Sequence, residues 1–145
     1  MALMVIDDSH KYTTVKAAAT PGNGGARHHY TISIKAEFLK PDQEQKLLDI
    51  NFQDGPIKEA GINGLMDENL IAILIDRLRG FQSGPYACSY NAEALMNLEI
   101  ALGVLQDRTA SREKQGIEGT HKVGTETTGQ IGLALGDQLG PAPTE

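Results

Sequence analysis

Tryptophan is absent from the 145-residue sequence, and phenylalanine and tyrosine together make up only 5% of it. A ring that stacks on a ligand must therefore come from one of very few positions. Cysteine occurs once, as Cys88, which excludes an internal disulfide and a cysteine-rich zinc site and favours a reducing cytoplasm. No apolar run approaches the ~20 residues of a membrane span, and no basic segment precedes the apolar N-terminal residues as in a signal peptide. We expect neither a membrane nor secretion to be involved.

Positive charge is also scarce, because 13 lysines and arginines face 19 acidic residues and leave a formal net charge of -6. A protein that wraps a long nucleic acid needs many cations to displace counterions, so this class is excluded. A small anionic ligand needs only one or two well-placed arginines and stays compatible with the charge. With 40% hydrophobic and 22% charged residues, the composition is that of a modest globular core, which oligomerisation would help to stabilise.

Signatures of catalysis are missing as well, since the chain contains no P-loop, no GxSxG elbow and no HExxH motif. Cys88 has no histidine near it in sequence, and we interpret it as a buried or half-buried structural thiol in preference to a nucleophile. His28 and His29 are adjacent at a strand entry, where they point to opposite faces, so a solvated strand flank is favoured over a metal site. Arg27 beside them is able to reach a phosphate on a neighbouring subunit. We predict a non-enzyme that uses neither a metal nor a cofactor.

The first half of the chain carries the two-residue period of β-strands. Apolar residues alternate with polar ones over residues 30–38 and again over residues 46–53, and the short turn between them makes the pair antiparallel. Residues 57–61 are predicted to return as a third strand. Residues 5–6 and 12–15 are weak strands or irregular edges. We therefore expect an antiparallel meander in this half.

The second half carries the spacing of helices, with apolar residues three and four apart over residues 70–81. Asp67 is a good N-cap for this helix. A second helix begins at Ser89 or Asn91 and runs to about Lys114. Because the loop between the helices is short, they are antiparallel neighbours. The predicted fold is α+β, an N-terminal antiparallel sheet followed by a two-helix hairpin.

Composition and pattern together divide the chain into four segments. Residues 1–29 form an irregular or edge segment, and residues 30–62 form the antiparallel sheet. Residues 63–118 form the helical hairpin. Residues 119–145, rich in Gly, Thr and Pro, are expected to form a flexible tail, in which residues 130–139 carry a weak amphipathic pattern.

Candidate binding residues lie at the ends of the hairpin, and each has a plainer alternative. Phe81 either projects from a fraying helix end or completes the apolar stripe. Asn91 is a pocket residue or a helix cap. Arg108 and Arg112 are four apart on one face, with Thr109 between them, and they either hold an anion or complement the helix dipole. The pattern alone leaves these alternatives open.

The hairpin geometry adds a condition on any shared pocket. An antiparallel pair brings Phe81 and Asn91 together at one end and leaves Arg108 at the other. A pocket that uses all three residues therefore requires a second subunit, packed so that the tip of one hairpin meets the base of another. We predict a dimeric binding site.

Several runs in order resemble a phage protein family over residues 46–123. They are NFQDGPIKE at 51–59, GING at 61–64, IDRL at 75–78 with GFQ at 80–82, DRT at 107–109 with RE at 112–113, and GIEGTHK at 116–122. These runs resemble the phage anti-Thoeris sponges, whose hairpin is shared with the anti-CBASS cyclic-nucleotide sponges. The resemblance covers roughly half of the chain.

The resemblance implies a phage protein that acts in the host cell cytoplasm and evades host immunity. Family members bind cyclic ADP-ribose isomers made by Thoeris TIR enzymes and sequester them without cleavage, so that the effector stays inactive. Some also take up cyclic di- or trinucleotides of CBASS immunity. The family fold is an N-terminal antiparallel sheet with a C-terminal hairpin, and members form homodimers that assemble into hexamers as trimers of dimers.

The resemblance also assigns roles to residues. Phe81 corresponds to the aromatic residue that stacks on adenine, Asn91 to a polar pocket residue, and Arg108 to the arginine that clamps base and phosphate. Ser89 and Tyr90 stand where charged residues are expected before the asparagine, which leaves the ligand preference open. The complete predicted ligand-binding set is Phe81, Asn91, Arg108, Thr109, Arg112, Gln82 and Lys58.

Two other functions stay open beside the sponge. An enzyme that degrades the same signals would need an acid, a base or a metal, for which the chain offers only scattered candidates such as His10, His28, His29 and His121. A structural phage protein would use the hairpin for assembly alone.

Overall fold

The computed structural model describes residues 2–125. Four strands form one antiparallel sheet in the order of the sequence: β1 (Leu3–Asp7), β2 (Thr13–Ala18), β3 (His29–Ile34) and β4 (Lys46–Asn51). Such a meander follows from the short connections between successive strands. Two helices come after the sheet, so the α+β fold and its element order are confirmed.

The sheet has one apolar and one polar face, as the alternation predicts. On the apolar face, Val15 is paired with Ile32, which is also paired with Leu48 on the next strand. On the polar face, the Lys46 ammonium and then the His29 imidazole hydrogen-bond the Asp49 carboxylate, at 2.8 and 2.6 Å. These two contacts lower the pKa of Asp49 below its ordinary value.

Several strand predictions need correction. The strand predicted over residues 46–53 is β4, which ends two residues earlier, at Asn51. The weak strands predicted at residues 5–6 and 12–15 are full members of the sheet, β1 and β2. The strand predicted over residues 30–38 ends at Ile34, and Ala36–Phe38 forms a 3₁₀ turn instead. The pairing of β3 with β4 shifts register after Ile32, and this loss of regular pairing explains why β3 ends at Ile34.

The third strand predicted over residues 57–61 is wrong. Ile57–Ala60 is a single helical turn, α1, with Pro56 as its N-cap. The Ala60 amide donates to the Pro56 carbonyl at 2.7 Å, and the Gly61 amide donates to the Ile57 carbonyl at 2.9 Å. Gly61 then stops the turn at φ 73, in the left-handed region that glycine adopts without strain.

The hairpin consists of α2 (Asp67–Gln82) and α3 (Ser89–Lys114). Their positions confirm the predicted helices. The N-cap prediction is off by one residue, because Met66 is the N-cap and Asp67 is the first helical residue. The Met66 amide donates to Oδ1 of Asn69 at 2.9 Å, which closes the first turn.

The two helices pack side by side along their least exposed residues. Ile75 is buried on α2, and Leu98 and Leu102 are half-buried on α3. A bidentate contact from Arg79 to one carboxylate oxygen of Glu99 joins the helices on the outside. The pair is therefore held by an apolar seam with a polar link at its rim.

Apolar burial within one chain is small. Among residues 2–125, the buried apolar residues are Ala17, Ala18 and Ile75. Large apolar side chains instead stay exposed in rows on the outer faces, which is typical of a subunit that has a partner. They are Ile73, Leu74 and Phe81 on α2, and Met96, Ile100 and Val104 on α3.

Across residues 2–125, no helix has the length and apolar character needed to span a bilayer. The segment after α3 folds back against the rest of the chain as far as residue 125, for example through the Lys58 amide, which donates to the Gly119 carbonyl at 3.0 Å. The flexible tail predicted for residues 119–145 lies outside the described residues from residue 126 onward.

Candidate functional site

An open cleft of about 1150 Å³ lies between the apolar face of the sheet and the base of the hairpin. The sheet supplies most of its apolar wall, and Tyr30 and Phe52 meet there edge to face with their ring centroids 5.4 Å apart. Leu70 at the start of α2 and Leu105 near the end of α3 close the other side. The cleft is large enough for a ligand of nucleotide size.

Two arginines line this cleft from opposite walls, Arg108 on α3 and Arg27 at the entry to β3. The Nε atom of Arg27 is buried and makes no hydrogen bond among residues 2–125, while its Nη2 atom contacts the Met4 sulfur at 3.3 Å. A buried guanidinium nitrogen without a partner is costly unless an acceptor reaches it. Acidic side chains, including Glu113 and Glu118, also line the cleft. Because Asp67 and Glu68 line it as well, acidic side chains outnumber the two arginines, and it is the two guanidinium groups that suit an anion.

Thr109 joins Arg108 in the cleft lining. Its hydroxyl donates to the Leu105 carbonyl one turn earlier at 3.3 Å, so it keeps its lone pairs for an incoming donor. We call Arg108 and Thr109 together the base half-site.

At the opposite end of the hairpin, Phe81 is 37% exposed. The Arg77 guanidinium lies over its ring, 5.0 Å from the centroid, so one face of the ring is covered by a cation. The exposed part of the ring is open to a ligand. Arg77 was missed by the sequence reasoning, although its position four residues before Phe81 on one helix was a signal that the two side chains meet.

Asn91 and Gln82 lie beside Phe81 at this end. The Asn91 amide group donates from Nδ2 to the Tyr86 carbonyl at 3.4 Å, and the Asn91 backbone N–H donates to the Cys88 sulfur at 3.4 Å. Cys88 is therefore the N-cap of α3, and Asn91 is not. Cys88 is exposed, so the prediction of a buried or half-buried thiol is wrong. Gln82 holds the loop between the helices through two hydrogen bonds. Its Nε2 atom donates to the Cys88 carbonyl at 3.1 Å, and its Oε1 atom accepts from the Cys88 backbone N–H at 3.0 Å. We call Phe81, Gln82 and Asn91 the tip half-site.

The two half-sites are far apart within one chain. Arg108 follows Asn91 by 17 residues on the same helix. At 1.5 Å per residue this separates them by about 26 Å along the axis. The structure thus brings Phe81 near Asn91, and Arg108 near Thr109, but it does not bring the two groups together in one chain.

Lys58 and Arg112, the remaining predicted ligand residues, lie outside both half-sites. Lys58 is exposed on α1 and lines a shallow groove with Gly119, where its side chain runs along the Gly119 backbone. Gly119 has φ +75, and a Cβ there would meet the Lys58 Cγ atom at 3.0 Å. The close approach of these two segments thus depends on glycine.

Arg112 is buried, with 7% of its surface exposed, and its guanidinium makes four hydrogen bonds to protein acceptors. Nε donates to a Glu118 carboxylate oxygen at 3.0 Å. Nη2 donates to the carbonyls of Ile117 and Thr120, and Nη1 donates to that of Lys122. We call this set the Arg112 knot. It fixes residues 117–122 against the end of α3, close to the base half-site.

The comparisons with known proteins agree with this architecture. The family described as Acb2/Tad1, hairpin domain, matches residues 44–110, which run from the last strand through both helices as far as the base half-site. A relative named Thoeris anti-defense 1, from Bacillus phage SBSphiJ7, is 45% identical over 101 residues, which are 70% of this chain and 66% of the relative.

The hairpin defines the class of protein: the chain carries an Acb2/Tad1 hairpin domain, which follows an antiparallel sheet in the sequence. Within that class, the chain belongs to the anti-Thoeris family. The matched region spans just under two thirds of the length of the relative.

The Arg112 knot leads to a prediction about stability. Arg112→Met should lower the free energy of unfolding by about 2–4 kcal/mol, because the Glu118 carboxylate and the carbonyls lose their donor in a buried setting. Urea unfolding followed by circular dichroism measures this change. Arg108→Met is the matched control on the same helix, and its exposed side chain should change stability by less than about 0.5 kcal/mol. Equal unfolding midpoints for the two variants would contradict a structural role for Arg112.

Proposed function

We propose that this protein is a phage counter-defence sponge that acts in the host cytoplasm. It binds cyclic ADP-ribose-type immune signals, with CBASS cyclic di- or trinucleotides as further ligands, and sequesters them without cleavage, so that the Thoeris effector is not activated. Family membership supports the anti-defence role. The single observation that carries the ligand proposal is the hairpin that presents an aromatic ring at one end and an arginine in a large cleft at the other.

The ligand site is completed by a second copy of the chain. The tip half-site of one protomer enters the cleft of its partner, so that Phe81 and Asn91 meet Arg108 of the other chain. The exposed row of Ile73, Leu74 and Phe81 on α2 supports this arrangement, since it offers an apolar surface that leads to the tip. A closed two-fold arrangement forms two identical sites.

The chemistry of the two half-sites fits a cyclic nucleotide. A purine stacks on the free face of Phe81, and the cation on its other face strengthens the electrostatic part of that stack. The Arg108 guanidinium offers two parallel donors to a phosphate, and Arg27 adds an unpartnered donor from the opposite wall. Burial between two subunits raises the affinity that a sponge needs in order to compete with the effector.

Sequestration is tested by the fate of the ligand. The protein is incubated with a sub-stoichiometric cyclic ADP-ribose isomer, filtered, heated and analysed by chromatography. We expect the ligand to disappear from the filtrate and to return intact after denaturation. Cleaved product, or turnover of a molar excess of ligand, would support the degrading enzyme in place of the sponge.

Two substitutions test the half-sites directly. Phe81→Ala should weaken binding of that isomer by about 10–100-fold, the usual range for a stacked base, and Arg108→Ala by at least as much. Calorimetry measures both changes. Asn97→Ala is a control on an exposed, polar part of α3 outside both half-sites and outside the exposed apolar rows. Unchanged affinity in both variants, with an unchanged oligomer, would support the purely structural protein.

Mixing the two inactive variants tests whether the site is shared. In a heterodimer of Phe81→Ala and Arg108→Ala chains, one site lacks both residues and the other has both. After unfolding and refolding together, random pairing should restore about a quarter of the wild-type binding sites. The readout is the number of sites per chain at wild-type affinity.

Refolding each variant alone provides the control for this experiment and should restore no sites. If the mixture also restores none while heterodimers are shown to form, then each chain builds its own site. That result would exclude the shared pocket but leave sequestration intact.

A further inference from the structure

Within the described part of the chain, four carboxylates line the cleft beside the two arginines, and three of them have a structural role there. Asp67 and Glu68 are the first two residues of α2, where a negative charge complements the positive end of the helix dipole. Glu118 accepts a hydrogen bond from Arg112 in the Arg112 knot. Glu113 is the fourth, and neither of these roles applies to it.

Glu113 carries its charge at the end of a helix that disfavours it. It is the second-to-last residue of α3, where the unpaired carbonyls form the negative end of the dipole. Among residues 2–125 its carboxylate makes no hydrogen bond and no ion pair, although Lys58 lines the same shallow groove beside the cleft. A charge that is placed against local stability is typical of a functional residue. The residues three and four positions away carry no charge that would compensate it: they are Thr109, Ala110, Gly116 and Ile117.

Glu113 extends the base half-site along α3. It follows Thr109 by four residues, so the two side chains are neighbours on one face of the helix, and both line the cleft. Both offer acceptors, because the Thr109 hydroxyl donates its proton to the Leu105 carbonyl and an ionised carboxylate has only lone pairs. Arg108 offers only donors. This wall of the cleft therefore presents donors and acceptors next to each other.

The combination of donors and acceptors restricts the chemistry of the ligand. A phosphate satisfies Arg108, but Glu113 would repel it. A pair of ribose hydroxyls supplies donors to a carboxylate, which is the contact that acidic residues make with ribose in dinucleotide-binding folds. Arg108 and Glu113 are five residues apart, which is about 7.5 Å along the helix axis. Both side chains are long enough to converge on the phosphate and the ribose of one nucleotide unit.

We infer that Glu113 is a specificity-determining residue of the proposed ligand site, where its carboxylate accepts hydrogen bonds from ribose hydroxyls while Arg108 holds the neighbouring phosphate. This role rests on the proposed function and narrows the ligand to one that keeps a free ribose hydroxyl beside a phosphate. Isomers of cyclic ADP-ribose that close their ring through different ribose hydroxyls leave different ones free, so Glu113 discriminates between them. A second phosphate in place of that hydroxyl is rejected by like charge.

The sign of the effect on affinity separates this role from general electrostatics. A carboxylate that merely lies near an anionic ligand opposes binding, so its neutralisation would raise the affinity. A carboxylate that accepts from ligand hydroxyls contributes charge-assisted hydrogen bonds, so its neutralisation lowers the affinity. The two cases predict opposite changes for the same substitution.

Calorimetry with the cyclic ADP-ribose isomer that the wild-type chain binds tests the inference. Glu113→Gln should weaken binding by about 10–100-fold, the range for loss of a hydrogen bond to a charged group. Asp107→Asn is the matched control, since Asp107 is an exposed carboxylate of α3 that lies outside the cleft lining and makes no hydrogen bond to residues 2–125. It should leave the affinity unchanged or raise it slightly.

Two further measurements exclude an indirect effect of the Glu113→Gln substitution. Its urea midpoint should equal or exceed that of the wild type, because a negative charge is removed from the negative end of α3. Sedimentation should show the same oligomer as for the wild type. Weaker binding together with a lower midpoint or a changed oligomer would overturn the inference and give Glu113 a structural role.

Ligand analogues identify the group that Glu113 contacts. Each free ribose hydroxyl of the isomer is replaced by hydrogen in turn, and one such analogue should bind the wild-type and Glu113→Gln chains equally, since the carboxylate then has no donor to accept from. An unchanged or higher affinity of Glu113→Gln for the parent isomer would overturn the inference and leave the sponge intact. An equal loss with every analogue would also overturn it. Absence of binding by the wild-type chain would reject the proposed function itself.

Discussion

The length of α3 is the constraint on which the rest of the candidate site depends. Its 26 residues carry Asn91 near the beginning and Arg108 near the end, so a rigid helix keeps a polar group and a guanidinium far apart. No side-chain rotation closes such a gap. A ligand that contacts both groups must therefore bridge two chains. In such a dimer, the hairpin of each chain presents one half-site at its tip and the other at its base.

In the proposed dimer, assembly and ligand binding are coupled. A ligand that touches both half-sites binds the dimer and not the monomer, so by mass action it stabilises the dimer in proportion to its concentration. The exposed apolar rows on α2 and α3 favour assembly even without ligand. A preassembled pocket has less conformational entropy to lose on binding, which suits the proposed role of capturing a signal before the effector does.

Local patterns predicted β3, β4 and the hairpin, with the ends of both helices placed to within about three residues, because two-residue and 3.6-residue periods are properties of a single segment. These local patterns failed where contacts with another part of the chain decide whether a segment forms a strand. The strand pattern at residues 5–6 is weak, yet β1 forms because its backbone groups pair with those of β2. Residues 57–61 were predicted to return as a strand, but Pro56 and Gly61 frame a helical turn. The separation of Phe81 from Arg108 was predictable from helix geometry alone.

The arginines at the end of α3 show why the remaining roles were not predictable. Arg108 and Arg112 are the same residue type and lie four residues apart on nearly the same face of α3. Arg108 nevertheless lines the cleft, whereas Arg112 is buried among the protein acceptors of the Arg112 knot. The difference comes from residues 117–122, which fold back over the last turn and supply carbonyls to Arg112 alone. A four-residue spacing cannot reveal which arginine the returning segment will cover. That same segment limits how far the end of α3 can move, so the buried arginine helps to hold the exposed one at the wall of the cleft.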